Sequence, residues 1–537
     1  MNVILKINMK IKRFIQNQLF LVCLVYTLAI GMRIYYVFQK SGMHEDEVLS
    51  VILSSYNNYG WTSNYEENKI YTGKELKEIT FFESGSIRNT LIDIHKLRKD
   101  NRDRPHTNLY YSALRLWFTG QQTGNIHRII VQGCFLNLLF FSLSFFFMYK
   151  LAKMLFKNKW IILLSLVVAF LSTGSISNTI FMRPYQLQET LFILFVYLFV
   201  YLWQKIEFNR PINSFRNLLL IAMIVGLTLL SGYFAIFFII PFGIILLFKL
   251  YKEKQVTNIY FIIISFISAI LITFTIYPNY VKGFITYRGS EAIGKITGGN
   301  IISNMLFSLQ NLGRILHENL FYISILLFLC VALCYLLWIR RQSLCLTLRN
   351  LRNIKQLQMI LLISLIWMSV IMILAPFKTL RYIVPAIPLF SLLIPYIVSK
   401  LIYYPKTYIL SLLFCIGIFG VNTFNNERIN FLFLDSYKEM KFNKKPEIPV
   451  IIYNNTRGTF WKNAAILPYV ADNQTYEFPH SDESFIERAT QYEKAILLIE
   501  TSENIDLTNS FKDFSLEKFD LGGSSYFSSF QIVKKDN

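Results

Sequence analysis

His44-Glu45-Asp46-Glu47 sets three adjacent carboxylates a few residues after a long apolar run that ends near Phe38, and the apolar stretch from Val48 to Leu53 follows at once. Carboxylates at the edge of a membrane segment are stable only where water or a cation solvates them. Asp46 and Glu47 are therefore candidates for taking up a proton, since partial shielding from water can raise a carboxylate towards the pKa of a working base. The same residues suit the first turn of a helix, where acids complement exposed amides, and the sequence leaves both readings open. Arg104, Arg183, Lys378 and Arg381 fall at span ends on the side that basic residues avoid. Guanidinium forks fit phosphate oxygens, and neutralising a phosphate makes it a better leaving group. Snorkelling to lipid headgroups is the plainer use of such cations.

His106, Tyr110 and Tyr111 follow Arg104 closely, and Tyr382 follows Arg381, so these join the cations as candidate substrate contacts. Arg183-Pro184-Tyr185-Gln186-Leu187-Gln188-Glu189 opens a further span, with proline at a first helical position. Glu189 lies well inside that span, with Gln186 one turn earlier on the same face. An ionisable residue at that depth faces the bundle interior and marks a substrate site or a buried pair. Tyr185, Gln186 and Glu189 are accordingly expected at the substrate. The acidic cluster could hold a divalent ion, but no His/Cys metal spacing, phosphate-binding glycine loop or Gly-x-Ser-x-Gly elbow is present. No cofactor is expected to be required, and a metal remains open.

These residues need a scaffold, and composition says which kind. Of 537 residues 54% are hydrophobic, including 48 Phe and 32 Tyr, and the apolar residues come in runs of bilayer-crossing length. The net charge of +21 would suit nucleic acid were it not so distributed. From Asn422 onward 13 Lys+Arg face 17 Asp+Glu, so the excess lies in the membrane part. There it gathers in short loops such as Lys150 to Lys159, Lys205 to Arg216 and Lys249 to Lys254, the pattern of cytoplasmic loops. The positive charge therefore sets topology, and no nucleic-acid partner is expected. The six cysteines lie in apolar segments or a basic loop, so no disulfide framework is implied.

Spans are expected at about Phe14–Phe38, 126–149, 160–180, 184–203, 215–231, 233–250, 259–278, 320–339, 357–376, 383–402 and 408–423, about eleven in all. Alternation from an inside start puts the basic loops in the cytoplasm and the long segments 39–125, 279–319 and 423–537 outside. Leu109 to Phe118 is too short to span and reads as an aromatic interfacial helix. The 279–319 loop, with Gly289, Gly294, Gly298 and Gly299, reads as a lid. The tail reads as α/β, with strands near 450–453, 495–500 and 526–534.

Asp46-Glu47, Asp103-Arg104-Pro105 before Leu109-Tyr110-Tyr111, Arg183-Pro184-Tyr185 and Arg381-Tyr382-Ile383-Val384-Pro385-Ala386-Ile387-Pro388 occur in that order. Together they resemble the GT-C superfamily of polyprenyl-phosphate-sugar glycosyltransferases, in the branch of protein O-mannosyltransferases and lipid A aminoarabinose transferases. The likeness runs from the first span to about Ile402. It departs after Pro105, where His106-Thr107-Asn108 replaces the usual second proline. The resemblance implies a polytopic α-helical membrane protein with a GT-C domain over 1–422 and a small extracytoplasmic α/β domain over 423–537. It implies an inverting glycosyltransferase of the bacterial plasma (inner) membrane, working on the outer face. The donor would be a polyprenyl-phosphate-linked sugar among the membrane lipids, and the acceptor a protein, lipid or polysaccharide. Asp46 would be the catalytic base and Arg104 a phosphate contact. A lipid-linked glycan flippase or other transporter is the rival from another class, although no internal repeat is evident; a glycan polymerase is a third reading.

Overall fold

The structure is a computed structural model that describes residues 17–535 except 60–62, 68, 82–84, 122–124, 298–300, 341–354, 402–404, 433–444, 457, 504 and 520–525. The start of the first expected span and Gly298-Gly299 of the expected lid lie outside the described residues. Helices begin where Asn or Ser oxygens accept the orphan amides of a first turn. Asn17 opens α1 (Gln18–Gln39), Asn125 opens α4 (Ile126–Leu155), Asn158 opens α5 (Lys159–Phe170) and Ser172 opens α6 (Thr173–Ile180). Between α1 and α4 lie α2 (Glu45–Ser54) and α3 (Leu109–Trp117). After α6 come α7 (Tyr185–Glu207), α8 (Phe215–Leu230), α9 (Ile236–Lys252), α10 (Val256–Ile276), α11 (Ile301–Asn319), α12 (Ile323–Arg340), α13 (Lys355–Leu374) and α14 (Pro405–Thr423).

Among the described residues, seven helices are long and apolar enough to cross a membrane: α1, α4, α7, Tyr233–Lys252, α10, α13 and Leu380–Lys400. The number reaches nine if α5 with α6, bent by 56°, and α11 with α12, bent by 83°, each count as one span. The sequence reading of about eleven also counts α8 and Thr407–Thr423, which are shorter apolar helices. At about 1.5 Å per residue, α8 reaches roughly 24 Å, less than the 30 Å of a hydrocarbon core. The segment read as a lid is helical over 290–297 and 301–319.

A broken span frees backbone carbonyls that hydrocarbon cannot satisfy. Arg33 of α1 answers this at the α5–α6 break. Its Nη1 donates to Phe170 O at 3.0 Å, its Nη2 to Ser175 Oγ at 2.6 Å and its Nε to Thr179 Oγ1 at 2.9 Å. The break turns the chain so that Phe181 to Pro184 lie at one end of the bundle, close to Asp46, Asp103 and Arg381.

That end is covered by a six-stranded mixed sheet of order β1-β3-β2-β4-β6-β5. Its strands are β1 (Tyr71–Thr72), β2 (Val450–Tyr453), β3 (Thr475–Glu477), β4 (Lys494–Glu500), β5 (Phe514–Phe519) and β6 (Phe527–Lys534). β3, β2 and β4 run parallel; the other pairings are antiparallel. The period of two along a strand divides the residues between two apolar layers. Val450, Ile452, Ile496 and Leu498 join the main core, whereas Ile451, Tyr453, Leu497 and Ile499 pack with Phe485, Ala489 and Phe511.

β1 comes from the 39–125 loop, so that loop and the C-terminal region share one sheet. Gly73 makes the seam possible: a Cβ there would stand 2.0 Å from the backbone oxygen of Ala471. Overpacking at a rigid backbone contact costs about 1–3 kcal/mol. Gly73→Ala is therefore expected to lower the unfolding temperature in detergent, and an unchanged temperature would show that the seam yields freely.

Candidate active site

α2 starts with a capping box in which His44 takes the usual Ser/Thr place. His44 Nδ1 accepts from Asp46 N at 3.1 Å, and Glu47 Oε2 accepts from His44 N at 2.8 Å. Burial pushes the His44 imidazole down to about 4, although Asp46 pulls the other way. The ring is thus neutral at pH 7, and its 3.7 Å approach to Asp46 Oδ2 is a polar contact without an ion pair.

The three acids of this turn diverge. Glu45 receives the Tyr526 hydroxyl at 3.2 Å, Asp46 meets Arg381, and Glu47 points into the interior. Among the described residues no three His, Cys, Asp or Glu side chains group as a metal site. Glu47, read as catalytic beside Asp46, is fully buried and lines neither of the lobes described below. It pairs with Lys40 at 2.8 Å and accepts from Met182 N at 2.9 Å. Lys40 Nζ also donates to Ile180 O at 3.0 Å and Phe431 O at 2.7 Å. This buried pair fastens the α2 start to the turn that carries Arg183.

Asp46 Oδ2 lies 2.6 Å from Arg381 Nη1, and Oδ1 lies 3.8 Å from Arg183 Nη2. Arg183 is buried, with Nη1 donating to Asp46 O at 3.2 Å, Ser50 Oγ at 3.1 Å and Tyr111 OH at 3.0 Å. Its Nη2 lies 3.2 Å from His106 Nδ1 and 3.3 Å from Asp103 Oδ2. Burial by itself would raise the Asp46 carboxyl, but Arg183 and Arg381 outweigh it and hold the group below its usual value. Shielding was expected to raise this carboxylate; the paired guanidiniums reverse the sign. Asp103, which the sequence placed only as a flank of Arg104, behaves alike. Against the upward push of burial, His106, Arg183 and the Tyr111 hydroxyl hold it far below the carboxylate range.

Two open lobes meet at Asp46. The larger, about 960 Å³, is lined by Arg104, His106, Arg183, Tyr185, Arg381 and Tyr382, with Asp103, Phe377 and Trp461 among others. The smaller, about 710 Å³, is lined by Glu45, Arg314, Glu318, Lys378, Arg381 and Tyr526 among others. Arg183 Nε and Arg381 Nε are buried and have no hydrogen-bond partner among the described residues. Arg104 stands exposed at the larger lobe. Lys378 Nζ is held by the carbonyls of Ile373 and Ala375, each at 3.0 Å.

Several expected contacts lie elsewhere. Tyr110 is buried against Asn137, 3.3 Å from its Oδ1, and the α3 rings turn inward where an interfacial belt was expected. Tyr111 is buried too, where it holds Asp103 and Arg183. Gln186 and Glu189 sit in the bundle with Thr179 and Asn178: Gln186 Nε2 donates to Glu189 Oε1 at 2.9 Å and Asn178 Nδ2 to Oε2 at 3.0 Å. They brace α6 against α7 and line neither lobe. Trp461, Tyr526, Arg314 and Glu318 line the lobes although no local pattern marks them. Asp103 had a signal, an acid directly before the Arg-Pro pair.

The bundle of apolar helices, its capping sheet and the carboxylate–guanidinium cavity between them define a multi-pass helical membrane protein. The particular fold is that of ArnT. The crystal structure of ArnT from Cupriavidus metallidurans bound to undecaprenyl phosphate aligns with 95% of this chain and 97% of that one, at a TM-score of 0.53 and 9% identity. The apo state of the same protein aligns over the same shares at a TM-score of 0.45. No family model matches the sequence, and no curated protein does.

Removing one partner of a buried ion pair costs about 3–5 kcal/mol because the other charge is left unpaired. Glu47→Ala is expected to destabilise the protein on that scale in detergent unfolding. A Glu47→Ala protein as stable as the parent would remove the pair from its structural role.

Proposed function

We propose that this chain is an inverting glycosyltransferase that moves a sugar from a polyprenyl-phosphate carrier to an acceptor hydroxyl, in a bacterial plasma membrane with the cavity facing outward. The observation that carries the reading is the contact between Asp46 and Arg381 at the junction of the two lobes, with the Arg183 guanidinium 3.8 Å from the other carboxylate oxygen. Undecaprenyl phosphate in the ArnT structure of like fold supports the same class of donor.

In this reaction the acceptor oxygen attacks the anomeric carbon from the face opposite the phosphate, and its proton passes to Asp46. The bond from that carbon to the phosphate oxygen breaks, and its electron pair stays on the phosphate. Arg381, Arg183 and Arg104 balance the charge that develops there. With two guanidiniums beside it, Asp46 is ionised but weakly basic. A phosphate that draws Arg381 to itself removes one of those partners and strengthens the base as the leaving group settles. His106, Tyr185 and Tyr382 line the same lobe and bound the space left for the donor. The acceptor, whether protein, lipid or polysaccharide, occupies the other lobe.

The test uses purified protein in detergent with undecaprenyl-phosphoryl sugars as donors. Asp46→Asn should lower transfer by about 10²–10⁴-fold, the range for loss of a general base. It should bind undecaprenyl phosphate at least as tightly as the parent, because Arg381 and Arg183 lose their internal competitor. Unimpaired transfer by this variant would sink Asp46 as base. Movement of intact lipid-linked sugar across vesicles, with no transfer product, would favour a transporter.

A further inference from the structure

Asp46, Phe377, Arg381 and Trp461 line both lobes. These four side chains therefore stand where ligands in the two lobes would approach one another. Two of them are the carboxylate and guanidinium already described; the other two are aromatic. Phe377 is 60% exposed, a large apolar ring left open in a charged cavity. Trp461 arrives from the C-terminal region, on the short helical turn Phe460–Ala465. Its ring lies 5.4 Å from that of Tyr526 at 74°, and the Tyr526 hydroxyl donates to Glu45, the neighbour of Asp46. Trp461 is thereby indexed to the start of α2.

The geometry points to Trp461 and Phe377 as the platform on which the transferred sugar ring rests, so that the C-terminal region supplies a specificity-determining residue. This rests on the donor reading of the preceding subsection. A pyranose or furanose has C–H faces that pack on aromatic rings and a rim of hydroxyls that needs charged or polar partners. The junction offers both: two rings, with Glu45, Asp46 and Arg381 around them. The isoprenoid chain of the carrier would need an apolar lining, and the carboxylates there disfavour it. A sugar satisfies the charged rim and covers the exposed ring at once.

The experiment compares binding of bare undecaprenyl phosphate with that of a panel of undecaprenyl-phosphoryl hexoses and pentoses to the full chain in detergent. The parent should bind at least one sugar-bearing ligand more tightly than the bare carrier. Trp461→Ala should remove that preference, about tenfold for the area of one ring face, while the affinity for bare carrier stays unchanged. Trp461→Phe should restore most of it. Phe377→Ala, at a ring that packs in no core, should weaken the preference without affecting folding. Equal losses on both ligands, no loss on either, or no sugar preference in the parent would each overturn the platform. Failure of the parent to bind the bare carrier at all would instead overturn the donor reading beneath it.

Discussion

The Lys40–Glu47 ion pair is the contact on which the geometry of the cavity depends. Neither side chain is exposed, and every polar atom they present is used on backbone that lacks a helical partner. Lys40 takes the last carbonyl of α6 and the carbonyl of Phe431; Glu47 takes the amides of His44 and Met182. Such a pair gains little net stability, since desolvation offsets most of the attraction. Its value here is positional. It ties the end of α1, the start of α2, the turn before Arg183 and the segment after α14 to one point. Asp46 directly precedes Glu47 and Arg183 directly follows Met182, so both are placed from that point.

From that point outward, the cavity is a problem of charge balance in a poorly solvated place. Arg183 is stable in its buried position because Asp103, Asp46, Ser50 and Tyr111 surround it. Asp46 is stable because two guanidiniums do. An arrangement already neutralised within itself has little room for another ion unless some donor remains free. The exposed Arg104 provides that room at the larger lobe. An arriving anion would thus exchange partners within an existing network, with no new buried charge created.

Much of this was legible along the chain. Asp46, Arg183, Arg381 and Arg104 were named from their charge and from their place at span ends, and all four line the cavity. The strands expected near 450–453, 495–500 and 526–534 fall at 450–453, 494–500 and 527–534, the first two as short apolar runs buried on both faces. The misplacements share one cause. Tyr110, Gln186 and Glu189 lie on helix faces buried against other helices, and in a membrane protein an inward face can meet either a cavity or a neighbouring helix. Hydropathy marks both alike. Glu47 lies off the cavity because adjacent residues on a helix point about 100° apart, so that Asp46 reaches the cavity while its neighbour enters the core.

The sequence by itself determined that the chain is helical and membrane-embedded, and that its acids and outlying arginines gather at one end. Those properties depend on local hydrophobic length and on the cost of a charge in hydrocarbon. Only the tertiary structure decided which acid meets which guanidinium, that Asp46 is held below its usual pKa, and that Trp461 and Tyr526 stand more than four hundred residues along the chain yet beside it. Those outcomes depend on distances of a few ångströms between segments remote in the chain, and electrostatic interaction at that range is set by packing.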